Sequence, residues 1–181
     1  MHIFPGFGLG GSQRRFVSLA NHFGREFRHL VWPLDGCADA ERLLAPGSSC
    51  DVLTQVFPKR GLVLSALKAR EHLRALKPDV LVTYNWGAIE WAAGNLPRLV
   101  RHIHIEDGFG PEEAERQLPR RVWFRRLILN RHSTVVLPSR TLVKVATDRW
   151  RINPERLVYL PNGIACDRFG GPPDAALAAA L

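Results

Sequence analysis

Four stretches of this 181-residue sequence combine residue types that can do chemistry. The first is Gly6-Phe7-Gly8-Leu9-Gly10-Gly11-Ser12, a glycine-rich loop running into a helical pattern. Glycines let a phosphate or a sugar approach the backbone closely, and the free amides and dipole at a helix start favour an anion. Gly10, Gly11, Ser12 and the nearby Arg14 are therefore candidate contacts for a phosphate or a sugar. The spacing departs from the dinucleotide fingerprint, and no Lys-Ser/Thr pair completes a phosphate loop; a ligand-free tight turn is the alternative. The second stretch, Thr83-Tyr84-Asn85-Trp86-Gly87, ends an apolar run, and Tyr84, Asn85 and Trp86 suit sugar recognition through hydrogen bonds and ring stacking, or else a turn with Trp86 in the core. The third, Arg101 to Glu113, holds His102, His104, Glu106 and Asp107, with His102 and His104 on one face of a strand. A His and carboxylates there can orient a hydroxyl or take its proton, so His104, Glu106 and Asp107 are candidate catalytic groups; Glu112 and Glu113 also fit as first-turn acids of a helix. The fourth stretch is basic and aromatic and contains Arg120, Arg121, Trp123, Phe124 and Arg125, with no acid from Arg116 to Arg131. It reads as a membrane-surface helix with arginines on lipid phosphates; nucleic-acid binding or an ordinary solvated face are the alternatives.

The elements that must position these groups alternate. Strands are expected at Ile3-Phe4, Phe27 to Leu34, Cys50 to Phe57, Val80 to Tyr84, Leu99 to Ile105, Thr134 to Leu137 and Leu157 to Leu160. Helical spacing marks Phe16, Leu19, Ala20 and Phe23, with Ser12 as N-cap and Gly24 as terminator. It marks Val63 to Leu76, stopped by Lys77-Pro78, then short helices at Asp39 to Ala45 and Ala88 to Ala93. Pro111 to His132 is mostly helical with a break around Pro119, and Ser139 caps a helix through Trp150. This β/α order predicts a Rossmann-like, mostly parallel sheet with helices on both faces. Ligands of such sheets sit at the carboxyl ends of the strands. Residues 1–169 form the expected domain, and 170–181 a linker or truncated end.

The 46% apolar content furnishes a core, and 25 Lys and Arg against 17 Asp and Glu leave a formal charge of +8, which attracts phosphate, nucleic acid or an acidic membrane. Cys37, Cys50 and Cys166 are far apart and lack metal-ligand spacing, which argues for reduced thiols and against a disulfide scaffold or zinc site. No apolar run is long enough to span a membrane, and no signal peptide is evident.

Taken together, Gly8-Leu9-Gly10-Gly11-Ser12-Gln13-Arg14-Arg15, Lys77-Pro78-Asp79-Val80-Leu81-Val82-Thr83-Tyr84-Asn85, Val136-Leu137-Pro138-Ser139 and Pro161-Asn162-Gly163-Ile164 with Asp167-Arg168-Phe169 resemble, in order, the N-terminal half of family 4 glycosyltransferases of the GT-B fold. The resemblance implies a retaining, hexosyltransferase-type transfer from a nucleotide-diphosphate sugar to a hydroxyl acceptor, such as a saccharide or lipid-linked glycan in polysaccharide biosynthesis. It implies no bound metal and no cofactor, an acceptor side formed by this domain, and a donor side formed by a C-terminal domain that this chain lacks. The fragment alone is then expected to be inactive, and the enzyme cytoplasmic and peripheral at the inner face of a membrane. The nearest match to the family's strand-end His is His104, although Glu106-Asp107-Gly108 replaces the usual pairing. The competing readings are a non-catalytic nucleotide- or nucleic-acid-binding Rossmann-like module and, disfavoured by the incomplete fingerprint, an oxidoreductase cofactor domain.

Overall fold

In the computed structural model, which describes residues 1–110, 113, 116–163, 166 and 171, the short apolar runs become parallel strands. They are β1 (His2–Phe4), β2 (His29–Pro33), β3 (Cys50–Val52), β4 (Val80–Tyr84), β5 (Arg101–Ile105), β6 (Ser133–Leu137) and β7 (Leu157–Tyr159). Their order across the sheet is β3-β2-β1-β4-β5-β6-β7, and every pairing is parallel. The helices are α1 (Gly11–Phe23), α2 (Leu62–Leu76), α3 (Ile89–Gly94), α4 (Pro119–His132) and α5 (Arg140–Asp148). The expected Rossmann-like α/β class is what folds, consistent with half of a GT-B fold.

Register assigns the two faces, because partners in a parallel pair point the same way. Trp32, Ile3, Thr83, His104 and Val135 follow one another across the sheet on one face, and α2 to α5 cover it. The other face carries Phe4, Val31, Val82 and Tyr84 and packs against Phe16, Val17 and Ala20 of α1. Helices therefore lie on both faces. The layers run antiparallel to the strands, so each helix begins at the carboxyl rim of the sheet, where the candidate residues are.

Several boundaries follow local chemistry. Gly24 ends α1 at φ 56°, a conformation glycine adopts without strain. Ser139 caps α5, its hydroxyl accepting from the Leu142 amide at 3.1 Å. Ser12 does not cap α1; Gly10 does, and Ser12 lies inside the helix with its hydroxyl donating to Gln13 Oε1. Pro119 is the first residue of α4, and 116–118 before it are not helical; the rest of the helical stretch expected from Pro111 lies outside the described residues apart from Glu113. The expected strand from Cys50 to Phe57 pairs only over Cys50–Val52, since β3 is an edge strand with a neighbour on one side. The short helix expected at Asp39 to Ala45 is a 3₁₀ turn over Asp39–Leu43. The expected linker or end at 170–181 lies outside the described residues apart from Gly171, as do Glu112 and Asp167-Arg168-Phe169.

Candidate functional site

β5 delivers the ionisable cluster, but pleating splits it. His102 and His104 point into the layer under α3 and α4 and are 3% and 0% exposed; Glu106, just past the strand, is also 0% exposed. The hydrogen bonds form one chain: Ser133 Oγ to His102 Nδ1 at 2.7 Å, His102 Nε2 to Thr83 Oγ1 at 2.9 Å, Thr83 Oγ1 to His104 Nδ1 at 2.8 Å, and His104 Nε2 to Glu106 Oε2 at 3.3 Å. The carboxylate at one end only accepts, so with neutral rings each bond has one direction. His104 donates from Nε2 to Glu106, Thr83 donates to His104, His102 donates from Nε2 to Thr83, and Ser133 donates to His102. Burial, reinforced by the neighbouring His104, lowers the His102 pKa to about 3, which fits a neutral ring.

Glu106 is held in turn by Arg125 of α4, whose Nε and Nη2 donate to its two oxygens at 3.1 and 3.3 Å. The same guanidinium reaches Glu113 at 3.2 and 3.3 Å, and Arg121 adds a bond to Glu113 at 3.2 Å. Burial alone would raise the Glu113 pKa, but hydrogen bonds and charge from Arg125 and Arg121 keep it below the ordinary carboxylate range. Arg125 is fully buried, with Trp86 and Trp150 rings 5.1 and 4.9 Å from its guanidinium carbon. Two sequence candidates lie in the interior instead. His104 and Glu106 do not meet solvent, because the pleat and α4 seal them. Arg125 is not on a membrane-facing surface, because its partners are two interior carboxylates.

The rim is built differently. Asp107, one residue past Glu106, turns outward and forms a two-pronged pair with Arg15 of α1 at 2.8 and 3.0 Å. Arg15 also donates to Asn162 Oδ1 just past β7, and the Asp107 amide donates to Asn85 Oδ1 at 2.8 Å. One ion pair thus joins the loops after β4, β5 and β7 to α1. Arg15 lies one turn after Gly11, on the same face of α1. The N-terminus of α1 has no side-chain cap, the first intrahelical bond runs from the Arg14 amide to Gly10 C=O at 3.0 Å, and the space beside Gly11 is open. Arg14 bends back toward Leu9 C=O at 3.4 Å. Below Arg15 and Asn162 a groove of about 520 Å³ continues over Leu19, Ile105, Val136 and Leu160.

The three proposed acceptor contacts separate as well. Tyr84 is buried, stacked on Phe4 at 3.8 Å with its hydroxyl 3.2 Å from His2 Nδ1, so it packs as part of the core. Asn85 stays at the rim, its φ of 54° aiming the side-chain oxygen at Asp107. Trp86 packs beneath Arg121 and Arg125 in the α3–α4 cluster. Arg120 and Trp123 are exposed, while Phe124 packs partly into the same cluster. Sequence reasoning missed Arg15, Thr83 and Asn162 as site residues. The signal was there for Arg15, placed one turn after the glycine pair, and for Asn162 in Pro161-Asn162-Gly163; none marks Thr83, whose role depends on its neighbour strand. Among the described residues no group of three or more His, Cys, Asp or Glu could hold a metal ion.

A family model described as Glycosyltransferase Family 4 matches residues 9–168. A search of curated proteins finds no significant match.

Proposed function

The chain belongs to glycosyltransferase family 4, and on that premise we propose that it is the acceptor-side domain of an enzyme moving a sugar from a nucleotide-diphosphate donor to a saccharide or lipid-linked hydroxyl, with retention. The observation that carries this reading is the meeting, at the carboxyl rim, of the uncapped α1 N-terminus with the Arg15–Asp107 pair. The bond to the diphosphate breaks through an oxocarbenium-like centre, and its electron pair leaves with the diphosphate. The amides of Gly11 and Ser12, the α1 dipole and Arg14 stabilise that growing negative charge. The acceptor oxygen bonds the anomeric carbon on the face the diphosphate leaves, and its proton passes to a diphosphate oxygen. Asp107, fixed by Arg15 and Asn85, accepts a hydrogen bond from the acceptor hydroxyl and aligns it. Amides and arginines supply the positive charge, so this reading calls for no metal. A second domain holds the donor nucleotide.

The test is sugar transfer by the enzyme together with its donor-binding domain. Gly11→Val fills open space, so the fold is retained and turnover drops at least about tenfold as donors lose their approach to the oxyanion. Unchanged turnover removes the loop from the mechanism. Strong salt-sensitive RNA or DNA binding, with no affinity for saccharide acceptors, replaces the whole reading by that of a nucleic-acid module.

A further inference from the structure

The glycine loop is less bare than its composition suggests. None of Gly6, Gly8, Gly10 and Gly11 has a positive φ; among the described residues the glycines that do are Gly24, Gly36, Gly47 and Gly61. Gly10 lies at φ −78° and ψ 174°, extended backbone that any residue adopts. What the loop glycines supply is therefore room, and at two of them the chain itself fills it. A Cβ on Gly6 would stand 2.3 Å from Asp35 Oδ2, and one on Gly10 would stand 2.6 Å from Gln13 Oε1. At Gly8 the nearest atom, Cys37 Sγ, is 3.7 Å away, and beside Gly11 there is nothing within 4 Å.

Gln13 is the third residue of α1. A glutamine at that position commonly reaches back to the amide of the N-cap residue. Here it reaches further. Its Nε2 donates to Gly6 C=O at 2.8 Å, and its Oε1 accepts from Ser12 Oγ at 2.9 Å. The Gly6 carbonyl only accepts, so the side-chain amide has one orientation. Gln13 thus passes over Gly10 and ties the two ends of the loop together. It does so through a carbonyl and a hydroxyl, and uses none of the backbone amides at the start of α1. The entry to the loop is already fixed: Phe7 is buried, its N–H donates to Cys37 C=O, and its C=O accepts from the Ala40 amide, each at 2.9 Å. The exit is not, for Leu9, Gly10 and Gly11 are exposed, and Arg14 Nε reaches Leu9 C=O only at 3.4 Å.

We propose that Gln13 is a positioning residue that braces the loop across Gly10, so that the Gly11 and Ser12 amides keep one place and one direction. This rests on the role proposed above for those amides. Gly10 is then glycine in order to house Gln13, whereas Gly11 is glycine in order to admit the ligand. The atom facing Gly10 is the end of a flexible side chain, so Gly10→Ala displaces Gln13 and leaves the backbone in place. It should therefore act as Gln13→Met does, and the two substitutions together should do no more than one.

The experiment takes Gln13→Met, Gly10→Ala and the pair through two measurements, with circular dichroism confirming that each variant folds. The first is ¹⁵N relaxation of the loop amides in this chain, which needs no ligand. The heteronuclear NOE from Gly8 to Ser12 is expected to fall in each single variant and no further in the pair. The second is sugar transfer by the enzyme together with its donor-binding domain. Each single variant lowers kcat about tenfold at an unchanged acceptor KM, because a misplaced group weakens the transition state and not acceptor binding. The pair lowers kcat no more than the worse single variant. Wild-type loop order in Gln13→Met, or losses that multiply in the pair, overturns the brace. So does loop order lost at unchanged turnover. If the wild-type enzyme transfers no sugar, the proposed reaction fails, and the relaxation data still decide whether Gln13 braces the loop.

Discussion

The interior chain from Ser133 to Arg125 and the rim pair of Arg15 with Asp107 hang from the same strand end, one residue apart, and are opposite in kind. Inside, every group has a protein partner and all are buried. At the rim, the carboxylate is paired but reachable and lies beside open helix amides. The comparison teaches that a run of ionisable residues is not one site. Glu106 holds α4 against β5 through Arg125, and that fixed end gives Asp107 a fixed place at the rim.

The largest expected effect sharpens this contrast. Arg125→Ala strands two buried carboxylates and should cost about 3–5 kcal/mol of unfolding free energy in urea. Arg125→Lys restores only part, since an ammonium cannot span both carboxylates as the planar fork does. Next comes acid. His102 is held neutral in the fold with a pKa of about 3, mainly by burial, and burial also lowers His2 and His29. The unfolded chain takes up these protons near pH 6.5, so their contribution is complete above that pH and is lost progressively toward pH 3. Glu113, also lowered, adds to the loss below its ordinary pKa of 4.5. Thermal unfolding across this range checks the sign; a melting temperature that rises as pH falls contradicts it. Thr83→Val removes the hydroxyl between two buried rings and should cost about 1–3 kcal/mol by denaturant titration.

The smallest expected effect on folding belongs to the rim. Asp107→Asn should change stability by about 1 kcal/mol or less while lowering sugar transfer about 10–100-fold. If it destabilises as much as Arg125→Ala and leaves transfer intact, the two regions do not differ in the way described here.

Much of the fold was legible from periodicity and punctuation. The buried run Val80 to Tyr84, the stop at Lys77-Pro78, Gly24 and the Ser139 cap all depend on neighbours in sequence, and all appear as expected. The site was legible only in part. Gly10 and Gly11 do lie at a strand-to-helix turn, and Asp107 does reach the rim, but His104, Glu106, Tyr84 and Arg125 are interior. The basic stretch misled because alternate sides of one helix have different fates: Arg125 faces two carboxylates while Arg126 faces solvent.

What the chain's sequence determined is therefore local: apolar spacing set the strands and helices, and the β/α order with right-handed crossovers set a parallel sheet with its rim at the strand ends. What only the tertiary structure decided is which polar groups are dry. Burial of a side chain depends on what packs over it, and α4 closing on β5, Asn162 returning to Arg15, and Gly94 drawing α2 inward are contacts between residues far apart in sequence. The same residue types carry different chemistry on the two sides of that closure, because a charge sealed from water must find a protein partner and one at the rim remains available to a ligand.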